Sequence, residues 1–194
     1  MNARSQHAFA LLLLALLMAA TRINHFAPVP DASWAVFFLG GLYLRSWTRW
    51  AFPLLMGLAV LVDWLVIRGQ GIAFWQHYCV SAGYLALVPA YLSLWAGGAW
   101  LARLPAVATW LAVLRGAGVL VLAVAACHLI AQGAFYWSSD SVTAPTVGGW
   151  LQNYADWFAP YLRTAVLYVA GAELLRAGLR ALSRTTASHG TPAL

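Results

Sequence analysis

Six runs of apolar residues, near 6–21, 33–47, 51–67, 76–97, 107–131 and 155–178, make up most of the chain, and shorter polar or proline-containing segments separate them. Each run approaches the roughly 20 residues that a helix needs to cross the hydrocarbon of a bilayer. The runs are too long for strands and lack the alternation of a membrane barrel. The pattern predicts an all-α integral membrane bundle of six transmembrane helices, built as one domain over 1–184. A small-residue polar tail over 185–194 is expected to be disordered. The first run, with Arg4 ahead of an apolar core from Ala8 to Ala20, has the look of a signal peptide. No small-x-small cleavage site precedes Thr21, so the reading keeps it as a helix.

Composition agrees. Of the 194 residues, 63% are hydrophobic and only 8% charged, against roughly 25% charged in a soluble domain. The net charge of +6 comes entirely from arginine. In a bilayer protein such an excess marks cytoplasmic loops rather than a nucleic-acid surface, so nucleic acid is set aside as a partner. Arg4, Arg45, Arg49, Arg103, Arg176, Arg180 and Arg184 fall on one side of the predicted bundle, and Arg22, Arg68 and Arg163 on the other. Asp31, Asp63, Asp140 and Asp156 share the second side. The bias predicts both termini in the cytoplasm. Richness in Ala, Leu, Arg and Trp without Lys points to a bacterial gene, hence to the inner membrane.

The predicted outer side gathers the polar and aromatic residues. The segment 21–31 carries Asn24 and His25 between Arg22 and the prolines Pro28 and Pro30, which stiffen it. A longer stretch, 132–160, reads as the longest connection of the chain, with Trp137, Trp150, Tyr154 and Trp157 among Ser, Asp, Gln and Asn. Interfacial belts account for single aromatics. The mixture with polar side chains on one side only predicts a pocket opening outward.

Within that outer face, Phe74-Trp75-Gln76-His77-Tyr78-Cys79-Val80-Ser81 stands at the predicted start of the fourth span. Two cysteines, Cys79 and Cys127, make no disulfide framework, and no zinc spacing is present. Cys127, in an Ala/Val run, reads as a buried packing residue. Cys79 has a polar, aromatic context, and a single soft donor is what an axial position on a metal macrocycle requires. On a helix His77 falls on a different face from Cys79, and Tyr84 lies one turn deeper on the same side. Asp63, an acid inside an apolar span, needs a partner; Arg68, about one turn on, is the expected one, as Arg176 is for Glu173. Ala15 and Ala19 form a small-xxx-small pair that admits another helix.

These features resemble the S-components of energy-coupling-factor vitamin transporters, and more narrowly the solitary cobalamin S-components of proteobacteria, the BtuM family. Ala15 and Ala19, the Asn24-His25-Phe26-Ala27-Pro28 loop and above all Gln76-His77-Tyr78-Cys79 carry the resemblance, which extends over the whole chain. It implies a membrane subunit that takes up cobalamin, with Cys79 as axial ligand of the cobalt. It also implies a docking surface at Ala15 and Ala19 for a transmembrane T-component coupled to ATPases, since the chain itself has no P-loop. By position His25, Tyr84, Tyr78, Asn24 and Trp137 join Cys79 as cargo contacts. Thiolate donation is further expected to weaken the bond trans to it, such as that to cyanide, and to assist its reductive loss, an incidental chemistry on the cargo. Two other readings stay open. One is a membrane haem or electron-transfer protein ligated by His77 and His128; the other is an S-component for a different vitamin, with Cys79 merely packed.

Overall fold

The computed structural model describes residues 2–23, 30–77, 80 and 82–188. Among these residues six α-helices follow one another: α1 (Ala3–Arg22), α2 (Ser33–Leu44), α3 (Thr48–Gly69), α4 (Leu87–Leu101), α5 (Thr109–Ser138) and α6 (Val147–Ser188). There is no strand among the described residues. Four stretches, Ala3–Arg22, Ser33–Gly69, Gly83–Leu101 and Thr109–Ser138, are long and apolar enough to cross a membrane. The second of these, 37 residues long, contains both α2 and α3 and turns between them through a 3₁₀ turn at Arg45–Trp47. Leucines on the outer faces of α1, α3, α5 and α6 are exposed, among them Leu12, Leu16, Leu61, Leu114, Leu122 and Leu167. Such a surface suits lipid, not water.

α2 is the centre. Ten of its twelve residues are buried, and α1, α3, α4 and α6 all pack on it. It is uniformly apolar rather than striped, as a helix surrounded on every side must be. α2 and α4 approach each other closely, because glycines lie at their crossing. A Cβ at Gly41 would overlap the Trp95 carbonyl, and one at Gly98 would overlap the Phe38 carbonyl. Small residues let two backbones meet where lipid supplies no hydrophobic drive. Phe37 stacks on Tyr91 at 4.5 Å, and Phe52 meets Trp95 edge-on at 5.6 Å. The Trp95 indole donates to Thr48 Oγ1 at 2.9 Å, which ties α4 to the start of α3.

We call the end at which α1 begins the lower end. There Asn2 caps α1 by accepting from Ser5 N at 2.8 Å, His7 lies against Trp47, and Tyr43 donates to Glu173, which also pairs with Arg176 as the sequence predicts. Arg115 donates to the Pro105 carbonyl at 2.7 Å and joins the other arginines of this end. Eight of the eleven arginines therefore sit at the lower end with one acid, Glu173, and three sit in the upper half with four acids. The formal charges are +7 below and −1 above, which together make the chain's +6.

Three expectations need correction. Residues 76–86 do not begin a continuous fourth helix: a 3₁₀ turn at Phe74–Gln76 and another at Ala82–Ala86 precede α4. None of the described residues in the first half of that predicted span is α-helical, and His77 is in extended backbone. The stretch 132–160 is not a long connection. α5 continues to Ser138, α6 starts at Val147, and only 139–146 lie between. Lastly, α6 extends to Ser188, so the first residues of the expected disordered tail are helical; 189–194 lie outside the described residues.

Candidate functional site

The upper end is organised by Arg22. The last turn of α1 carries it into the bundle, where it is 5% exposed. Its Nε and Nη2 donate to the two carboxylate oxygens of Asp63 on α3, at 2.6 and 2.7 Å. Nη1 reaches Asp31 Oδ2 at 3.0 Å, Ser33 Oγ at 2.9 Å and Tyr91 Oη at 3.3 Å. The planar guanidinium matches a carboxylate bidentately while its far side serves other acceptors. Asp31 in turn accepts from Ser33 N and Oγ, and Thr21 Oγ1 accepts from Ala32 N at 3.1 Å. One cation thus closes α1, α2, α3 and α4 at a common level. Asp63 pairs with Arg22 rather than with Arg68, whose guanidinium lies 5.7 Å over the Trp64 ring. The helix-end pairing expected from sequence is wrong: Asp63 faces into the bundle toward Arg22 and Tyr84, while Arg68 lies against Trp64.

The segment from the end of α3 to α4 is fastened to this level at both flanks. Gly71, at φ +76°, takes the left-handed conformation that glycine adopts without steric cost, and turns the chain off α3. Phe74 is buried and meets the Tyr84 ring edge-on at 5.8 Å. Tyr84 Oη donates to Asp63 Oδ2 at 2.7 Å, and Gly83 N donates to Ser138 Oγ at 2.9 Å. Val80 N donates to the His77 carbonyl at 2.8 Å. Cys79 and Tyr78 lie outside the described residues, as do Asn24 and His25 of the first outer segment. The described residues on either side of Cys79 are not α-helical, and the expected placing of His77 and Tyr84 relative to Cys79 lies outside the described residues.

On the far side α5 and α6 form a hairpin that continues upward beyond the start of α2. His128 of α5 lies 5.9 Å from the Trp34 ring at the start of α2, and α5 continues ten residues beyond it, about 15 Å. Trp137, half exposed, sits on this hairpin against Tyr136 and Trp150. Gln132 Nε2 donates to Asn153 Oδ1 at 2.9 Å across it. Tyr136 Oη accepts from Thr146 N at 3.2 Å and closes its tip. His128 itself is enclosed by Trp34, Tyr154, Phe158 and Tyr161, with Nε2 held 3.1 Å from the Tyr154 carbonyl. That engagement weighs against the haem-ligand role left open for it. Cys127 is fully buried in the core, as its sequence context predicts.

Ala15 lines an apolar groove of about 310 Å³ between α1 and α3, with Ala8, Leu11, Leu12, Trp47, Leu54, Leu55 and Leu58. Ala19, half-buried one turn higher, is not part of its wall. The structure thus brings Tyr84 to the Arg22 network, sets Trp137 on the hairpin and leaves Ala15 on a separate, lipid-side face. Sequence reasoning missed Arg22, which it treated only as an orientation charge. An arginine closing an apolar span, with Asp31 nine residues on and Asp63 buried in a later span, was the available signal. No protein-family model matches the chain, and no curated protein matches it.

Proposed function

We propose that the chain is a six-span subunit of a bacterial cytoplasmic membrane, both termini inside, that binds cobalamin at its upper, outward end and mediates its uptake. The arginine excess at the lower end supports this orientation. The observation that carries the reading is the anchored loop. The segment bearing Cys79 is bonded to α3 through Tyr84 and to α5 through Gly83, at the level where α5 and α6 form an aromatic and amide-bearing wall. Flanks that are ordered before a ligand arrives lower the conformational cost of binding it between them. Cobalamin is a flat macrocycle fringed with amides, and such a wall offers rings to stack on and amide partners to hydrogen-bond. Cys79 would supply one axial bond to its cobalt, with Trp137 against the ring system. His25, Asn24 and Tyr78 are the further contacts this reading assigns. The groove at Ala15 is the face on which a T-component helix would pack.

The test is a spectral titration of the purified protein with cyanocobalamin and hydroxocobalamin. Saturable binding, with a corrin spectrum shifted in wild type and unshifted in Cys79→Ser, supports the reading. Binding that is unaltered in Cys79→Ser removes the thiolate role. No binding of cobalamin, with binding of a smaller vitamin, replaces the cargo.

A further inference from the structure

Below the level at which Tyr43 holds Glu173, α6 leaves the bundle. It continues to Ser188, and Leu174, Leu175 and Leu179 on it are exposed by 73, 66 and 59%. Leu175 and Leu179 lie four residues apart on one face, Arg176 and Arg180 four apart on an adjacent one. Arg176 pairs with Glu173 and lies 5.6 Å over the Tyr43 ring. Arg180, one turn further, makes no ion pair among the described residues.

Depth decides what these two faces meet. Exposed tryptophans at the lower ends of α3, α4 and α5, namely Trp50, Trp100 and Trp110, mark the level where amphipathic rings settle at the headgroups. From Glu173 to Arg180 a helix descends about 10 Å, which brings Arg180 to the outer edge of the roughly 5–8 Å headgroup layer, within reach of the phosphates for its long side chain. Leucines at this depth reach back to the acyl boundary, while arginines lie among the phosphates. A second copy of the chain is disfavoured as the occupant, since this end carries a formal +7.

We propose that the lower extension of α6 is a binding surface for the headgroups of anionic phospholipids, with Arg180 as its principal contact and Leu175 and Leu179 as its apolar footing. The surface is independent of the cargo and rests only on the chain being embedded in a bilayer.

The test uses the full chain in nanodiscs of phosphatidylcholine mixed with phosphatidylglycerol, followed by mild delipidation and native mass spectrometry of the retained lipid. Wild type retains phosphatidylglycerol in preference to phosphatidylcholine. The preference falls roughly fivefold in Arg180→Gln, the equivalent of about 1 kcal/mol per basic residue near an anionic surface. It also falls as salt is raised, because exposed charges are screened. Arg68→Gln, at the opposite end, leaves it unchanged. Equal retention of the two lipids, a preference that survives in Arg180→Gln, or one indifferent to salt overturns the proposal; in each case the leucine face belongs to a protein partner instead.

Discussion

Arg22 is the residue on which the upper end depends. Its removal would leave Asp63 and Asp31 uncompensated where they are 13% and 24% exposed. Breaking one partner of a buried pair costs about 3–5 kcal/mol, so Arg22→Ala should unfold at a markedly lower temperature in detergent, read by near-ultraviolet circular dichroism. Unfolding at the wild-type temperature would show that the network is not load-sharing. Tyr84→Phe is milder: it deletes one hydrogen bond to a charged group, worth about 1.5–3 kcal/mol. Because Tyr84 fastens the segment next to Cys79, that variant should also weaken cobalamin binding with little change in the fold. Binding equal to wild type would separate the tie from the site. At this scale the sequence was partly legible. Cys127 in its Ala/Val run could be read as packing, and Glu173 with Arg176 three residues on as a pair. Asp63 could not be assigned, since its neighbour Arg68 and its distant partner Arg22 are equally basic and only the crossing of α1 and α3 chooses between them.

Helix existence followed from the apolar runs, and helix limits did not. Hydrophobicity alone cannot tell an α-helix from the 3₁₀ turns that hold Phe74–Gln76 and Ala82–Ala86, nor a polar aromatic loop from two helices that continue through it, as α5 and α6 do. Both errors fell at the upper end, where the apolar pattern fades and turns, caps and tertiary bonds decide. The glycines of α2 and α4, which bring these helices together, were not singled out in the sequence. Gly41→Leu should prevent the α2–α4 contact, because a side chain there meets the Trp95 carbonyl and overpacking costs about 1–3 kcal/mol or more. The expected outcome is loss of monodisperse protein on size exclusion. Gly57→Leu, on α3 with open space around it, should behave as wild type. If both variants behave alike, the close approach is not what holds these helices together.

For the molecule as a whole, the separation of charge makes the orientation a direct prediction. In a background with Cys79→Ser and Cys127→Ser, Ser141→Cys between α5 and α6 should react with a membrane-impermeant maleimide in intact bacterial cells. Ala106→Cys between α4 and α5 should react only after lysis. The reverse pattern would invert the bundle and place the cysteine segment inside. The all-helical, membrane-embedded class was legible from charge depletion and run length, because lipid imposes those on any chain that lives in it. The proposed cargo was not, because its recognition would rest on a few side chains whose meeting depends on the upper turns.

The most direct measurement is the absorbance titration of cobalamin into purified wild type and Cys79→Ser side by side. The account predicts a saturable shift of the corrin bands in the first and its absence in the second, with Cys127→Ser like wild type. Identical spectra and affinities for wild type and Cys79→Ser would contradict it.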